Sequence, residues 1–216
     1  MKICQVIDSL HVGGAERVCV NMCNLLEEKK CDFHLLLLVS KGELFNDLNV
    51  NVDYTILNRN NKFSIFKLKE TSDIIRQFDI IHCHFKYVYK YVKLVSLLFN
   101  LHKLKIVLHD HGVIDLTNKN HRFLITLLTP KFYIGVSQIQ IDFLDKIKKN
   151  RESFLLRNTV TISYSKNELN RKFDLIVVSN IKPLKNQMFA AQLAEKYKLS
   201  VLFIGKNQDD KYFENL

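Results

Sequence analysis

The fold is decided by the start of the chain, where residues 2–8 (KICQVID) lead through residues 9–14 (SLHVGG) into the helical sequence Ala15-Glu16-Arg17. The first segment is a short, nearly continuous apolar run, the pattern of a strand buried on both faces of a sheet. The glycine pair after it marks a turn into a helix. A buried strand that turns at once into a helix is typical of a βαβ unit, so this opening predicts an α/β protein.

The same alternation of short apolar runs and helical periodicity continues along the chain. Predicted strands cover residues 2–8, 33–40, 52–57, 79–84, 104–109, 132–136, 154–156, 174–179 and 200–205. Predicted helices cover residues 15–29, 65–77, 88–101, 121–128, 138–148, 186–198 and 209–215. Right-handed crossovers between such elements give a doubly wound parallel sheet. We therefore expect a Rossmann-like α/β fold whose strands are buried on both faces.

The alternation breaks once, at the polar residues 158–172, which we interpret as a linker. It separates a Rossmann-like domain of residues 1–157 from residues 173–216, which begin a second Rossmann-like unit. One strand–helix–strand unit of this size has too small a core to be stable alone in water. We expect it to pack on the first domain or to be completed by further chain, its own or a partner's.

The composition excludes several classes of protein. With 216 residues, of which 47% are hydrophobic and 25% charged, the chain has an ordinary globular composition. Its five cysteines form no CxxC pair, so we expect reduced thiols in the cytosol rather than a disulfide scaffold. The apolar runs are too short for a signal peptide or a membrane span, so we expect neither.

The net charge of +10 is spread along the chain. A broad positive charge suits an anionic partner such as a membrane surface, a phosphorylated ligand or nucleic acid. AT-rich coding, which favours Lys, Asn and Ile, explains the same excess without any partner. Nucleic acid is disfavoured, because no helix–turn–helix, zinc-finger or RNA-binding signature accompanies the basic residues.

Gly13 and Gly14 stand where a strand turns into a helix. Glycine there lets a ligand approach the backbone, and the free N–H groups of a helix N-terminus suit a diphosphate. A tight turn without a ligand explains the pair equally well. The dinucleotide fingerprint GxGxxG is absent, which disfavours a nicotinamide enzyme. Lys185, near the start of a later helix, is a second candidate for a pyrophosphate contact, although a surface lysine is the simpler interpretation.

Two His-x-His pairs end neighbouring predicted strands, His82-Cys83-His84 and His109-Asp110-His111. In an open parallel sheet, the carboxyl ends of the strands line the ligand crevice. One interpretation is a zinc site, since residues two apart on a strand share a face. The others are polar contacts to a sugar or phosphate, and solvation at a loop edge. No carboxylate ligand cluster accompanies the histidines, so metal binding is the weaker alternative.

A basic and aromatic helical segment follows the first pair. Lys86, Lys90 and Lys93 recur with the spacing of one helix face, next to Tyr87 and Tyr91. Such a face suits the headgroup boundary of an anionic membrane. A core helix with a solvated lysine face fits the same pattern.

Taken in order, these segments resemble the retaining glycosyltransferases of family 4, which have the GT-B fold. The resemblance rests on six segments: GGAER at 13–17, FDIIHCH at 78–84, KIVLHDHG at 105–112, YIGVSQIQIDFL at 133–144, LLRNTV at 155–160 and LIVVSNIKPLKNQ at 175–187. Their order and spacing are specific together, although no single segment is. The resemblance covers the whole chain.

The resemblance implies a role for residues at both ends of the chain. In such enzymes a glycine-rich turn and a basic pair hold the diphosphate of a nucleotide sugar, and no catalytic metal or other cofactor takes part. The glycine turn corresponds to Gly13 and Gly14. Lys185 matches the lysine of the basic pair, whereas Asn180 stands where arginine is expected, and an amide carries no charge to stabilise the leaving group.

The resemblance also implies sugar contacts. His111 best matches the histidine that lies beside the donor sugar and is taken as the catalytic candidate, with His109 as the alternative. Further candidates for contact with the acceptor or the sugar are His82, His84, Glu16 and Asn158.

The family usually has a complete second domain with a Glu-x7-Glu element, and no Glu here is followed by another eight positions later. We therefore expect a truncated second domain. The expected function is sugar transfer to a lipid-linked or polysaccharide acceptor in surface glycan assembly, in the cytoplasm at the inner face of the membrane, with activity reduced or lost by the truncation. The alternatives are a non-catalytic remnant or binding module and, less favoured, a histidine-ligated metal hydrolase.

Overall fold

The computed structural model describes residues 1–112, 129–147, 152–158 and 172–216. The chain divides into two compact units, Met1–Val160 and Thr161–Leu216. The predicted helix at 121–128 and all of the predicted linker except Asn158 and Lys172 lie outside the described residues.

Unit 1 is built on a seven-stranded sheet in which every pairing is parallel, as the alternation of strands and helices predicts. The strand order is β3-β2-β1-β4-β5-β6-β7. The strands are β1 (Ile3–Ile7), β2 (Phe33–Leu37), β3 (Tyr54–Ile56), β4 (Ile80–His84), β5 (Lys105–Asp110), β6 (Phe132–Gly135) and β7 (Glu152–Leu155).

Helices cover both faces of this sheet, so the doubly wound Rossmann-like fold is confirmed. The described helices of unit 1 are α1 (Gly14–Glu28), α2 (Ile65–Ile75), α3 (Lys86–Leu98) and α4 (Gln138–Ile147). Cys19 and Val20 of α1 pack with Ile7 and other residues of one face. Helices α2, α3 and α4 bury their apolar stripes on the other face, against a core that includes Cys4 and Val6. Successive residues of β1 thus point to opposite layers.

Glycine is required by the backbone at one turn of unit 1. Gly42, which precedes a 3₁₀ turn at Glu43–Asp47, has φ of +78°, and a Cβ atom there would overlap the backbone of Leu10 and His11. The loop after β1 and the loop after β2 therefore touch backbone to backbone.

Unit 2 consists of two parallel strands, β8 (Leu175–Val178) and β9 (Val201–Ile204), joined through a 3₁₀ turn (Pro183–Lys185) and the helix α5 (Gln187–Tyr197). A short helix, α6 (Asp210–Glu214), follows. The prediction that all strands are buried on both faces is wrong here, since Ile176 and Val178 are 58% and 72% exposed. The inward side chains of β8 alternate with these two, so the described helices of unit 2 cover one of its faces.

All five cysteines are free in the structure, four of them buried and Cys31 exposed. Within the described ranges, no helix combines the length and apolar character that crossing a membrane requires.

Candidate functional site

The candidate site lies where the strand order of unit 1 changes direction. From β1 the chain moves outward on one side to β2 and β3, and then returns to place β4, β5, β6 and β7 on the other side. In open α/β sheets, ligands bind at such a point, beside the carboxyl ends of the strands. The strands that meet here are β1, β4 and β5.

Both predicted His-x-His pairs end at this edge and come together as one histidine cluster, formed by His82, His84, His109 and His111. His84 and His109 are direct cross-strand partners, and His82 pairs in register with Gln5 of β1. Partners in a parallel sheet share a face, so these side chains lie on the α1 side of the sheet. Sequence spacing alone predicted the pairs but could not show that they touch.

Ring nitrogens join the cluster into two pairs. Nε2 of His82 lies 3.2 Å from Nδ1 of His109, and Nδ1 of His84 lies 3.0 Å from Nε2 of His111. Nε2 of His84 also lies 3.0 Å from the side-chain oxygen of Gln5. The other nitrogens of two rings, Nε2 of His109 and Nδ1 of His111, are buried and have no hydrogen-bond partner among the described residues.

Burial keeps all four imidazoles neutral near pH 7. It lowers the pKa of His82 to about 4, with the nearby His111 lowering it further. It lowers the pKa of His109 to about 2 and that of His84 well below its ordinary value, in both cases with help from the neighbouring histidines. Burial also lowers the pKa of His111 to about 4, against a raising effect of Asp110. A protonated imidazole in this buried cluster would lose the solvation that stabilises its positive charge. The neutral form is therefore favoured.

The cluster has the residue types of a metal site. Ligand atoms of His82, His84 and His109 all lie within 4.8 Å of one another. Neutral imidazoles are the form that binds zinc. The nitrogens that face each other also lie at hydrogen-bond distance. The geometry therefore fits a hydrogen-bonded network as well as a metal site.

Asp110 is the acidic member of this edge, and its carboxylate is nearly buried. It accepts hydrogen bonds from the backbone N–H of Gly112 at 3.0 Å and from the hydroxyl of Tyr133 at 3.2 Å. Nζ of Lys86, the first residue of α3, lies 3.1 Å from the same carboxylate. The helix begins two residues earlier than the sequence predicts, and Lys86 belongs to the site edge.

Gln140, in the first turn of α4, ties the ends of β5 and β6 together. Its side-chain oxygen accepts hydrogen bonds from the backbone N–H groups of Val136 and Ser137. Its side-chain nitrogen donates to the carbonyls of Asp110 and Gly112. Sequence reasoning missed this residue, since a glutamine in an amphipathic helix gives no signal of its own.

The glycine turn is free of backbone strain. Gly13 is extended, with φ of −168°, and caps α1, which begins at Gly14. A Cβ atom on Gly14 would meet nothing within 4 Å, whereas one on Gly13 would meet the carboxylate of Glu16, the movable end of a side chain. The local backbone conformation therefore requires neither glycine. The absence of two side chains leaves space next to the first turn of α1.

A buried ion pair supports the neighbouring strand ends. Arg59, which follows β3, places Nη2 2.8 Å from the carboxylate of Asp8, the residue after β1. The guanidinium also lies 4.1 Å from the ring centroid of Tyr91. Burial raises the pKa of Asp8, against the lowering effect of Arg59 and Lys62. The sequence analysis did not single out this pair, because its members lie 51 residues apart.

The histidines among the predicted sugar contacts are largely buried. His82 is 7% exposed, His84 and His109 are fully buried, and His111 is half-buried. Glu16 lies against Gly13, and Asn158 is exposed after β7.

In unit 2, the predicted phosphate contacts flank the start of α5. Lys185 ends the 3₁₀ turn and is exposed, and Asn186 then adopts a left-handed conformation before the helix begins. The backbone carbonyl of Asn180 accepts a hydrogen bond of 2.8 Å from the side chain of Gln187, which holds the loop after β8 to the helix.

The membrane face predicted on α3 stays a prediction, and its residues differ in exposure. Lys90 and Lys93 are half-buried, and Lys86 is paired with Asp110. The prediction that Tyr91 faces a headgroup boundary is wrong, because its side chain is 6% exposed and its hydroxyl lies 2.9 Å from that of Thr71 in α2. The tyrosine is part of the contact between the two helices.

A more exposed apolar group lies at the start of α2. Phe63, Ile65 and Phe66 are 76%, 76% and 86% exposed, and we call them the apolar tip. Lys62 and Lys69 beside them are exposed as well. Because α2 follows the carboxyl end of β3, the tip stands toward the same edge of the sheet as the histidine cluster.

Comparison with known proteins gives a family and a fold. Residues 12–147 match the sequence profile of Glycosyltransferase Family 4. HepE of Anabaena, solved in complex with UDP and glucose, is similar over 100% of this chain, with a TM-score of 0.73 and 14% identity. The lipopolysaccharide outer core galactosyltransferase WaaB, in its apo form, is similar over 96%, with a TM-score of 0.58 and 14% identity.

MurG of Acinetobacter baumannii is similar over 98% of the chain, with a TM-score of 0.50 and 12% identity. This chain spans 64%, 69% and 68% of the lengths of these three structures. At such identities the likeness shows the fold, which is that of GT-B glycosyltransferases. No curated protein sequence matches the chain significantly.

Proposed function

Because the chain belongs to glycosyltransferase family 4, we propose that it transfers a sugar from a nucleotide sugar to a lipid-linked or polysaccharide acceptor. The proposed setting is the assembly of a surface glycan such as an O-antigen or a capsule, and the proposed mechanism retains the anomeric configuration. The observation that carries the proposal is the histidine cluster at the edge where the strand order changes direction. Two of its buried ring nitrogens have no partner in the part of the chain that the structure describes.

The proposed donor is a nucleotide sugar. The structure of HepE holds UDP and glucose, which supports a uridine nucleotide as the first donor to test. Gly13 and Gly14 leave room beside the first turn of α1, where free N–H groups and the helix dipole suit a diphosphate. In unit 2, Lys185 and Asn180 are proposed contacts to a phosphate group. Positive charge at the leaving group is the form of stabilisation that such a transfer needs.

His111 and His109 are the proposed sugar contacts, with His111 the main candidate. Each carries one buried nitrogen that has no partner among the described residues. A buried polar atom without a hydrogen-bond partner destabilises the protein by about 1–3 kcal/mol. A ligand hydroxyl that donates to this atom removes the penalty, and this favours binding. No metal ion is needed for this contact. Glu16 and Asn158 remain proposed contacts to the acceptor or sugar.

A lipid-linked acceptor has to be met at a membrane, and we propose that unit 1 binds the anionic inner surface. The apolar tip, flanked by Lys62 and Lys69, combines exposed apolar side chains with positive charge at the edge that carries the site. Lys90 and Lys93 add charge along α3, with Lys86 contributing less because Asp110 already pairs with it. The proposed location is therefore the cytoplasm, peripheral to the membrane.

Calorimetry with UDP and with UDP-glucose tests the donor proposal, followed by a transfer assay on lipid-linked acceptors. We expect binding that His111→Ala and Lys185→Ala each weaken by about tenfold, or 1.4 kcal/mol. The variant Lys206→Ala, which removes another lysine of unit 2, serves as the matched control. A chain that binds no nucleotide or nucleotide sugar of any base contradicts the proposal.

Because the exposed face of β8 leaves room for more chain on unit 2, the assay is run with and without co-expressed neighbouring gene products. Transfer only in their presence supports a second chain that completes the donor site. Donor binding without transfer in either case favours the alternative of a binding module.

A further inference from the structure

We propose that Gln5 is a positioning residue that fixes the tautomers of His84 and His111, so that Nδ1 of His111 offers a lone pair to a ligand hydroxyl. Gln5 lies in the middle of β1 and is 1% exposed, between the apolar residues Cys4 and Val6. The tautomers are fixed in the protein before any ligand binds. Only the identity of the ligand that supplies the hydroxyl rests on the proposed function.

The first step is the contact between Gln5 and His84. The side-chain oxygen of Gln5 lies 3.0 Å from Nε2 of His84. An amide oxygen can only accept a hydrogen bond, so Nε2 of His84 has to carry the proton. A neutral imidazole carries one ring proton, so its other nitrogen, Nδ1, then has a lone pair and no proton.

The second step passes this choice to His111. Nδ1 of His84, now an acceptor, lies 3.0 Å from Nε2 of His111, so Nε2 of His111 is the donor. The neutral His111 therefore has no proton on Nδ1, the buried atom for which the described residues provide no partner. The chain Gln5–His84–His111 thus fixes an acceptor at its far end through two hydrogen bonds.

The third step concerns the ligand that fits such an end. An unprotonated nitrogen accepts a hydrogen bond from O–H or N–H but repels the unprotonated oxygens of phosphate and carboxylate. Sugars present many hydroxyls, each able to donate. The lone pair of His111 therefore favours the hydroxyl-rich part of a donor or acceptor over its anionic part.

The tautomers are directly measurable by nuclear magnetic resonance of protein with ¹⁵N-labelled histidine, through long-range ¹H–¹⁵N correlation near pH 7 without any ligand. Signals of His84 and His111 are assigned with the variants His84→Gln and His111→Gln. We expect both residues as the Nε2–H tautomer in the parent protein. The Nδ1–H tautomer at either residue in the parent overturns the proposal.

Substitutions of Gln5 test the cause. Gln5→Leu has no acceptor, so His111 should show a mixture of tautomers, whereas Gln5→Glu keeps an acceptor oxygen and should restore the Nε2–H form. Thr71→Val is the matched control, because it removes a buried hydrogen bond on the opposite side of the sheet and should leave both tautomers unchanged. Equal tautomers in the parent and in Gln5→Leu contradict the relay.

Ligand binding is measured on the same variants to separate this inference from the proposed function. We expect Gln5→Leu to weaken binding of UDP-glucose about fivefold, to leave binding of UDP unchanged, and to be rescued by Gln5→Glu. The expected tautomers in a protein that binds no nucleotide sugar support the relay and reject the donor. A zinc titration that shifts all four histidine signals at one equivalent overturns the hydrogen-bonded chain in favour of a metal site.

Discussion

The ammonium group of Lys86 lies 3.1 Å from the carboxylate of Asp110, which connects the first residue of α3 to the last residue of β5. The carboxylate is nearly buried, whereas the lysine side chain is 45% exposed. The residue between His84 and Lys86, Phe85, has φ of +76°, an unusual value for a residue with a side chain. Its backbone N–H donates to the carbonyl of His109, so β4, α3 and β5 are joined at one point.

The variant Lys86→Met should lower the free energy of unfolding by about 1–2 kcal/mol. The expected loss is smaller than the 3–5 kcal/mol typical of breaking a fully buried pair, since Asp110 keeps two hydrogen bonds and the lysine is half exposed. Urea unfolding measures it. Lys90→Met, one turn further along α3, is the matched control and should change stability by less than about 0.5 kcal/mol. If the two substitutions lower the free energy of unfolding equally, the ion pair of Lys86 and Asp110 does not stabilise the fold.

The variant Gly14→Ala should bind UDP at least about tenfold more weakly while its melting temperature stays the same or rises. The new methyl group meets no atom of the described residues within 4 Å, and alanine is the better helix former. It would, however, stand in the space proposed for the diphosphate. Calorimetry and thermal unfolding on the same sample measure both quantities.

The comparison variant for this experiment is Gly42→Ala, which should destabilise the protein because its Cβ overlaps backbone atoms at a positive φ. If Gly14→Ala binds UDP as the parent does, the glycine turn is only a turn.

Stability should fall as the pH drops below about 6.5, the ordinary pKa of histidine. The folded cluster keeps His82 and His111 neutral down to about pH 4, whereas the unfolded chain takes up protons from about pH 6.5. The unfolded state therefore binds more protons in this window, and the free energy of unfolding decreases by about 1.4 kcal/mol per pH unit for each such histidine.

Urea unfolding from pH 7 to pH 5 measures this slope. The variant His82→Gln should reduce this slope by about 1.4 kcal/mol per pH unit, which corresponds to one proton. A slope that does not change in this variant would show that His82 is protonated in the folded protein.

The protein should sediment together with vesicles that contain anionic lipid. Apolar insertion and lysine charge should contribute separately to this binding. Phe63→Ser with Phe66→Ser should reduce pelleting at low and high salt alike, because apolar insertion is not screened. Lys62→Gln with Lys69→Gln should reduce it mainly at low salt, by about 1 kcal/mol per lysine. Neutral vesicles are the control. Equal pelleting of the parent and both double variants would reject the apolar tip as the contact.

The sequence predicted the sheet and the strands well, because buried parallel strands leave continuous apolar runs. It predicted less of the site, because the contacts there join residues far apart in the chain. Gln5 did carry a signal, as a polar residue between Cys4 and Val6 in a buried strand. The signal of Lys86 was misleading, because its spacing from Lys90 is typical of a solvated helix face. Its ion pair with Asp110 depends on the fold, which brings these distant residues together.

The central position of β1 has a consequence for how the protein is made. β1 pairs with β2 on one side and with β4 on the other, so its second edge needs residues 80–83. At about 5–20 residues per second, the ribosome needs roughly 2–10 s to extend the nascent chain from the end of β2 to that point. During this time an apolar strand edge lacks its partner, which is the kind of surface that aggregates or recruits a chaperone. Deletions between β2 and β4 would shorten that interval, whereas slow codons there would lengthen it.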